Sequence, residues 1–278
     1  MSDTLIKNQL KKITLPDPTS HKGQNGKLMI IGGSELFHAA SKWSLDTASR
    51  FVDMVFYSSI PSNNQLIHES KLNFWNGIVV ERDDLESYID ESDCILIGPG
   101  MTRSNETESL TNYLLSKYSD KKWVVDAGAL QMVSPENLNS NVIITPHQKE
   151  LTSLLQKMGK TDDKTIPLAQ KIVPILKSGV TVLVKGKIDY VFQLQKMIPI
   201  EGGNAGMTKG GTGDVLAGLV AGLYCQHPAL TAAVVSSYIN KKTGDYLYQE
   251  VGPYFNATDL AESVPQVMWQ EIRNLASD

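Results

Sequence analysis

Continuous apolar runs alternate along the chain with segments in which apolar residues recur at helical spacing. The apolar runs predict strands within 27–34, 54–60, 77–81, 94–100, 123–129, 141–147 and 180–187, with 188–195 continuing beyond a bend or hairpin at Gly186 and Lys187. Helical spacing predicts helices over about 38–52, 105–117, 161–178 and 229–249, and Pro174 predicts a kink or a break in the third of these. Strands that are apolar throughout are typical of a parallel sheet with helices on both faces. The pattern therefore predicts an α/β fold with a largely parallel central sheet.

Residues 1–26 are more polar than this alternating region, and they include Pro16 and Pro18. They predict an N-terminal arm, or a short helix followed by a loop. No shift in composition, low-complexity run or internal repeat divides the remainder, which predicts one domain over 27–278. The start has no apolar segment of a secretory signal, and no apolar run reaches the roughly 18 residues of a membrane helix. We therefore expect a cytoplasmic protein with no membrane partner.

Charge and cysteine content narrow the partners further. The formal net charge is −4 and the chain has no basic stripe, so we expect no nucleic-acid partner. An anionic ligand would need local help from backbone amides, lysines or a metal ion. Cys94 and Cys225 lie far apart in apolar runs, which indicates two core thiols in a reducing compartment rather than a disulfide or a metal site.

The stretch 204–224 carries the most specific chemistry. Gly210, Gly211 and Gly213 surround Thr212, and Asp214 follows at the start of an apolar run that predicts a buried helix. Glycines allow backbone amides to turn inward, and a helix N-terminus attracts anions. These residues predict a phosphate cradle beside a carboxylate. The alternative is an ordinary turn with an acid near a helix start, but capping requires one short polar residue rather than a glycine cluster.

The cradle and the carboxylate together predict phosphoryl transfer to a hydroxyl group. A phosphoryl donor would bind at the Gly210–Gly213 amides, and Asp214 would remove the hydroxyl proton as a general base. The amides and Mg²⁺ would stabilise the charge that develops on the transferring group.

The run GMTKGGTGDVLAG, beginning at Gly206, resembles the signature of the ADP- or ATP-dependent NAD(P)H-hydrate dehydratases, which belong to the ribokinase-like superfamily. The run Thr-Pro-His-x-x-Glu ending at Glu150 and the Gly-Pro-Gly ending at Gly100 extend the resemblance, which covers the chain from His21 to about Leu260. The resemblance implies a ribokinase-like fold and a metabolite-repair reaction. Phosphorylation of the hydroxyl of hydrated NADH or NADPH (NADHX or NADPHX) would be followed by elimination of phosphate. It also implies ADP or ATP as the donor, Mg²⁺ as cofactor and a homotetramer.

The resemblance also assigns residues to roles. Substrate contacts are expected from Ala40, Gly100, His147 and Asp214, and Asp214 is the catalytic residue. Nucleotide contacts are expected from these residues: Lys185, Gly186, Lys187, Ile188, Asp189, Asn204, Gly210, Gly211, Thr212 and Gly213. Metal contacts are expected from Glu150 and Asp126.

Some of these residues have simpler interpretations. Asp126 and Glu150 each fit a helix-capping role, and Lys185 and Lys187 fit a solvent-facing turn. The family has Tyr-Thr-Gly before the alanine at position 40, whereas this chain has Phe37, His38 and Ala39. This departure affects the substrate contacts.

Two other functions fit the same residues. One is a kinase of the same superfamily that phosphorylates a sugar or vitamin alcohol and releases the ester. The other is a nucleotide-binding module without catalytic activity. The Gly-rich loop fits both the dehydratase and the kinase, whereas Thr-Pro-His-x-x-Glu favours the dehydratase. The altered segment from Phe37 to Ala39 leaves the module without activity open.

Overall fold

The computed structural model describes residues 2–69, 76–160 and 165–277. Its strands are β1 (Lys27–Ile31), β2 (Met54–Ser58), β3 (Ile78–Val79), β4 (Cys94–Ile97), β5 (Lys122–Val125), β6 (Val142–Ile144), β7 (Thr181–Val184), β8 (Asp189–Gln193) and β9 (Lys196–Ile200). Its α-helices are α1 (Ser2–Leu10), α2 (His38–Ala48), α3 (Pro61–Glu69), α4 (Leu85–Glu91), α5 (Asn105–Lys117), α6 (Ala127–Met132), α7 (Gln148–Lys157), α8 (Leu168–Lys171), α9 (Val173–Leu176), α10 (Thr212–Gln226), α11 (Ala229–Val251) and α12 (Ala257–Ser277).

Over the described residues, the strands form one nine-stranded sheet in the order β3-β2-β1-β4-β5-β6-β7-β8-β9. Every pairing from β3 to β7 is parallel, whereas β8 and β9 add antiparallel strands at one edge. The predicted α/β class with a largely parallel sheet is confirmed.

Successive side chains of each strand point to opposite faces, and both faces are covered. Leu28, Ile30 and Leu96 pack in one core cluster with side chains of α2, α10, α11 and α12. Met29 and Ile31 pack in the other with side chains of α4, α5, α6 and α7. Burial on both faces explains why these strands are apolar at every position.

The strand order reverses at β1. Strands β2 and β3 lie on one side of β1, and the chain then returns to place β4 on the other side. Ligands of open α/β sheets bind beyond the carboxyl ends of the strands at such a reversal. The loops after β1 and β4 meet there, since the Gly33 amide donates to the Pro99 carbonyl at 2.7 Å. The sheet order thus predicts a cleft at this point.

Three elements differ from the sequence prediction. Strand β9 was not predicted. It contains Pro199, which is tolerated because β9 is an edge strand. The hairpin between β8 and β9 turns at Leu194, which has φ +52°. Helix α3 is polar and was also not predicted. The strand expected over 123–129 ends at Val125, because α6 begins at Ala127.

The helix predicted over 161–178 is not continuous. Residues 161–164 lie outside the described residues, and the remainder forms two single turns, α8 and α9, that meet at Ile172. Pro174 stands at the start of α9, where its missing N–H costs no helical hydrogen bond. The predicted break is confirmed.

Helix α1, within the predicted arm, packs against α11 and β9. Ile6 and Leu10 are buried in the core, and the Thr231 hydroxyl donates to Gln9 Oε1 at 2.8 Å. The boundary at residue 26 stays a prediction. Each helix of the described residues is too short or too polar to cross a bilayer.

Candidate active site

The Gly-rich loop is held between α2 and α12. Gly211 has φ +97°, a backbone conformation that only glycine adopts without strain. A methyl group at Gly211 would lie 2.5 Å from Trp43 Cε3 and 2.6 Å from Ala257 Cβ. The loop therefore follows a path that a side chain at position 211 would block.

Polar contacts tie the same loop to its surroundings. The Thr212 hydroxyl donates to the Met207 carbonyl at 2.8 Å and lies 3.1 Å from the Lys209 carbonyl. The Lys209 ammonium donates to the carbonyls of Pro253 and Phe255, in the connection between α11 and α12. The start of α10 is thus fixed in direction before any ligand binds.

A cavity of about 730 Å³ lies beside this loop. Seven of the ten predicted nucleotide residues line it: Lys185, Gly186, Lys187, Asp189, Asn204, Thr212 and Gly213. His147 also lines it, although the resemblance assigned this residue to the substrate. Ile188, Gly210 and Gly211 are not among its lining residues. We call this space the larger cavity.

A second cavity, of about 460 Å³, lies at the reversal of the sheet order. Ala40, Gly100 and Asp214 line it together with Phe37 and Arg103. Gly100 has φ +75°, and a methyl group there would lie 2.3 Å from the Phe37 carbonyl oxygen. Phe37, part of the departure from the family pattern, is thus in the wall of the space that holds three of the four predicted substrate residues. We call this space the smaller cavity.

Asp214 lies at the point where the walls of the two cavities adjoin. It lines the smaller cavity, and Gly213, immediately before it in the first turn of α10, lines the larger cavity. The Ser44 hydroxyl of α2 donates to the Asp214 carbonyl at 2.8 Å. This arrangement places one carboxylate between a space beside backbone amides and a space beside small residues.

The electrostatics of this carboxylate suit proton transfer at neutral pH. Burial, followed by the negative charge of Asp126, raises the pKa of Asp214 to about 7, while Lys185 acts in the opposite direction. A general base works best when its pKa is near the working pH. Asp214 therefore has the properties of a base that is half ionised near neutrality and fully ionised above it.

Lys185 follows β7 and forms an ion pair with Asp126, which follows β5. The Lys185 ammonium lies 2.8 Å from Asp126 Oδ1, and the Thr145 hydroxyl donates to the same oxygen at 2.7 Å. Burial alone would lower the pKa of Lys185, but the Asp126 carboxylate raises it above its ordinary value. A methyl group at Gly213 would lie 3.6 Å from the ammonium, so a permanent positive charge stands beside the junction of the cavities.

The capping interpretations have opposite outcomes. Asp126 occupies the N-cap position of α6, but its side chain makes no capping hydrogen bond, so that interpretation is wrong. Glu150 does cap: its Oε2 accepts from the His147 amide at 2.9 Å, and His147 Nδ1 accepts from the Glu150 amide at 3.2 Å. Glu150 Oε1 also accepts from Gln131, which lines the smaller cavity.

The carboxylates of Asp126 and Glu150 already accept hydrogen bonds from neighbouring residues, so they do not form a metal cage by themselves. No group of three or more His, Cys, Asp or Glu residues able to hold a metal is found in the described part of the chain. Their oxygens nevertheless suit Mg²⁺ in the form common at nucleotide sites, where one or two carboxylates act together with phosphate oxygens. The metal roles of Asp126 and Glu150 stay predictions.

Several residues of the site were missed by the sequence interpretation. Asn240 and Lys241, from the middle of α11, line the larger cavity. Ala127 lines the smaller cavity with φ +45°, a strained conformation for a residue with a side chain. A pair of lysines in the predicted helix was a visible signal, but the burial of Lys241 and its position opposite the loop after β7 could not be read from the sequence.

Asp126 and Lys185 shift the pKa of Asp214 in opposite directions, so removing each charge should shift the pH dependence of activity in opposite directions. We expect kcat/KM to fall as the pH drops below about 7, because protonated Asp214 cannot accept the substrate proton. Asp126→Asn removes a negative charge and should move this limb to lower pH. Lys185→Met removes a positive charge and should move it to higher pH. The measurement is the pH dependence of kcat/KM for the three proteins, and shifts of the same sign in both variants would contradict the assignment.

The fold and the site together define a class of protein. A ribokinase-like superfamily protein of Enterococcus faecalis V583 matches with a TM-score of 0.81 and 24% identity, over 95% of this chain and 94% of that chain. An ADP/ATP-dependent NAD(P)H-hydrate dehydratase of Bacillus subtilis, co-crystallised with ATP/Mg²⁺, matches with a TM-score of 0.79 and 20% identity, over 96% and 97%. The chain has the ribokinase-like fold, as predicted.

Sequence comparison places the chain within this class. The family model described as NAD(P)H-hydrate dehydratase matches residues 28–266. The ADP-dependent (S)-NAD(P)H-hydrate dehydratase of Nitrosopumilus maritimus is 31% identical in an alignment of 271 positions that covers 90% of each chain. The protein therefore belongs to the NAD(P)H-hydrate dehydratase family, which confirms the resemblance.

A further relative is longer than this chain. The bifunctional NAD(P)H-hydrate repair enzyme Nnr of Methanocaldococcus jannaschii is 35% identical in an alignment of 269 positions that covers 93% of this chain and 51% of the relative. The chain thus spans about half the length of the first curated relatives that it matches.

Proposed function

We propose that the protein restores NADH and NADPH from their hydrated forms in an adenine-nucleotide-dependent dehydration. The observation that carries this proposal is the position of Asp214, which lines the smaller cavity while the adjacent Gly213 lines the larger one. A hydroxyl group in the smaller cavity and a phosphoryl donor in the larger one would meet at this residue. Family membership supports the choice of substrate.

The residues suggest how the reaction proceeds. Hydroxide is a poor leaving group, so the hydroxyl of the hydrated ring must first become a phosphate ester. Asp214 takes the hydroxyl proton while the oxygen attacks the terminal phosphorus of the nucleotide, whose bond to the bridging oxygen breaks and releases the nucleotide shortened by one phosphate. The loop amides and the Lys185 charge stabilise the transferring group. The electron pair of the ring nitrogen then expels phosphate, and loss of a proton from the adjacent ring carbon restores the reduced nicotinamide.

Magnesium fits this scheme. The similar dehydratase of B. subtilis was co-crystallised with ATP/Mg²⁺. In this chain Glu150 and Asp126 are the carboxylates that would hold the ion together with phosphate oxygens. When bound, Mg²⁺ would neutralise phosphate charge.

The test follows hydrated NADH with ADP and, separately, with ATP. Recovery of the reduced-nicotinamide absorbance together with release of one phosphate for each NADH is the expected result. ADP is the expected better donor, because the N. maritimus relative is named as ADP-dependent. Absence of recovery with either nucleotide would contradict the proposal.

The same assay separates the two rival functions. A small-molecule kinase would convert an alcohol into a stable phosphate ester without releasing phosphate. A module without activity would bind the nucleotide and turn over no hydroxyl substrate. The two cavities that meet at Asp214 favour catalysis over simple nucleotide binding.

We also propose a cytoplasmic homotetramer with no nucleic-acid partner and one domain over 27–278. Cys94 and Cys225 are buried, and two core thiols are the form expected in a reducing compartment. The net charge of −4 disfavours nucleic-acid binding. Light scattering at several protein concentrations would measure the oligomeric state.

A further inference from the structure

Lys241 lies in the middle of α11, and its side chain is almost fully buried, with 7% exposed. Its ammonium lies within hydrogen-bond distance of three backbone carbonyls: Gly186 at 3.1 Å, Lys187 at 3.1 Å and Gly202 at 3.2 Å. It also lies 3.4 Å from Asp189 Oδ1. An ammonium has three hydrogens and no acceptor, so the three carbonyls use all of its hydrogen bonds, and Asp189 adds an ion pair.

These carbonyls belong to two separate segments of the wall of the larger cavity. Gly186 and Lys187 form the turn between β7 and β8, whereas Gly202 begins the loop that leads to the Gly-rich motif. The two segments are not joined by a sheet ladder at these residues. Lys241 connects them through one charged group.

The partner carboxylate of Lys241 is itself held in place. Asp189 Oδ1 accepts from the Gly186 amide at 2.8 Å, and Oδ2 accepts from the Ser237 hydroxyl of α11 at 2.8 Å. Asp189 is 5% exposed, and although it lines the larger cavity, both of its carboxylate oxygens are engaged in holding the turn and α11. The stem of Lys241 covers the next glycine, since a methyl group at Gly203 would lie 3.4 Å from Lys241 Cγ.

We propose that Lys241 is a positioning residue for the nucleotide, because its buried ammonium fixes the Gly186–Lys187 turn and the Gly202–Asn204 loop as one preformed wall of the larger cavity. A preformed wall lowers the ordering cost of binding. This inference rests on the proposed function only in the identity of the ligand, an adenine nucleotide. It concerns binding rather than proton transfer, because Lys241 lies in the larger cavity and not in the cavity that Asp214 lines.

The test compares Lys241→Met with Lys242→Met. Lys242 is the next residue of the same helix and is exposed, with its ammonium 5.5 Å from the centroid of the Tyr238 ring. The two substitutions remove the same charge from adjacent positions. Calorimetric titration with ADP is expected to show about 10- to 100-fold weaker binding for Lys241→Met and a change of less than about twofold for Lys242→Met.

Two further readouts separate positioning from a general loss of structure. Amide hydrogen exchange in the absence of nucleotide should accelerate at 186–188 and 202–204 in Lys241→Met, while the central strands keep their protection. In the dehydration assay the KM for ADP should rise by the same factor as the dissociation constant, with kcat at saturating ADP reduced by less than about threefold. The KM for hydrated NADH should be unchanged.

Removing Lys241 leaves Asp189 as a buried charge without its cation, and this loss could prevent folding. The double variant Lys241→Met with Asp189→Asn removes both charges, and Lys241→Arg keeps the positive charge. We expect weakened ADP binding in the double variant and partial rescue by arginine.

A folded Lys241→Met or double variant that binds ADP within about twofold of the wild-type protein, with unchanged exchange in both segments, would overturn this inference. A wild-type protein that binds neither ADP nor ATP would instead overturn the proposed function.

Discussion

Replacing Asp214 with asparagine is expected to reduce the dehydration of hydrated NADH by at least about 10²-fold, because asparagine cannot accept the hydroxyl proton. The substitution preserves size, and Asp214 lines the smaller cavity rather than the larger one. ADP affinity should therefore stay within about threefold of the wild-type value. The measurement pairs the absorbance assay with calorimetric titration of ADP.

The matched control is Asp120→Asn, which changes an exposed carboxylate away from both cavities. This variant should keep full activity. An Asp214→Asn protein with near-normal turnover would contradict the role of Asp214 as general base, and with it the mechanism proposed above.

The same substitution should stabilise the fold at alkaline pH. The pKa of Asp214 is raised by burial from 3.8 to about 7, so the folded protein disfavours the ionised form. The resulting destabilisation is absent below pH 3.8, grows between pH 3.8 and about 7, and is complete above that value. A rise of roughly three pKa units corresponds to about 4 kcal/mol at most.

Asparagine is neutral at every pH, so it removes this penalty. We expect the Tm of Asp214→Asn to exceed that of the wild-type protein at pH 8 and the gain to shrink towards pH 5. Thermal unfolding at the two pH values measures it, and a gain independent of pH would show that ionisation of Asp214 is not the cause. A catalytic residue whose loss increases stability is typical of an active site.

The second large effect is expected from Gly211→Ala. An L-residue at φ +97° is strained, and the new methyl group would meet Trp43 and Ala257 at 2.5 and 2.6 Å. Trp43 cannot easily move away, because its indole N–H donates to the Thr258 hydroxyl at 3.1 Å. We expect a Tm lower by several degrees and ADP binding weakened at least about tenfold, because the amides at the start of α10 are redirected.

Gly210→Ala provides the control one residue earlier in the loop. A methyl group at Gly210 meets no described heavy atom within 4 Å, and the backbone there is outside the left-handed region. This variant should keep its Tm within about 1 °C. Equal damage from both substitutions would show that the loop responds to any added side chain, and the argument from the conformation of Gly211 would fail.

Much of the fold was readable from local patterns. Strands such as Lys27–Ile31 and Cys94–Ile97 are buried on both faces, and that burial requires a continuous apolar run that the sequence displays directly. Strand β9 was not readable, because its Pro199 is tolerated only at a sheet edge and the turn at Leu194 has no glycine to mark it. Edge position is a property of the assembled sheet.

The site divides in the same way. The Gly-rich loop and Asp214 were visible because glycine spacing and a helix start are local features of residues close in sequence. The capping role of Glu150 was also visible, since its partner His147 is three residues away. In contrast, Asp126 fitted a helix cap by position, yet its side chain bonds to Thr145 and Lys185 instead.

The sequence by itself determined the α/β class, the Gly-rich loop at a helix start and the candidate base, because each depends on residues that are near neighbours along the chain. The tertiary structure decided which charges surround Asp214 and which cavity each predicted residue lines. It also decided that the Lys241 ammonium binds carbonyls of both the Gly186–Lys187 turn and the loop that begins at Gly202. Those outcomes depend on the order of the strands, which brings the ends of β5, β6 and β7 together across long stretches of sequence. Strand order is set by the packing of the whole sheet, and no local pattern encodes it.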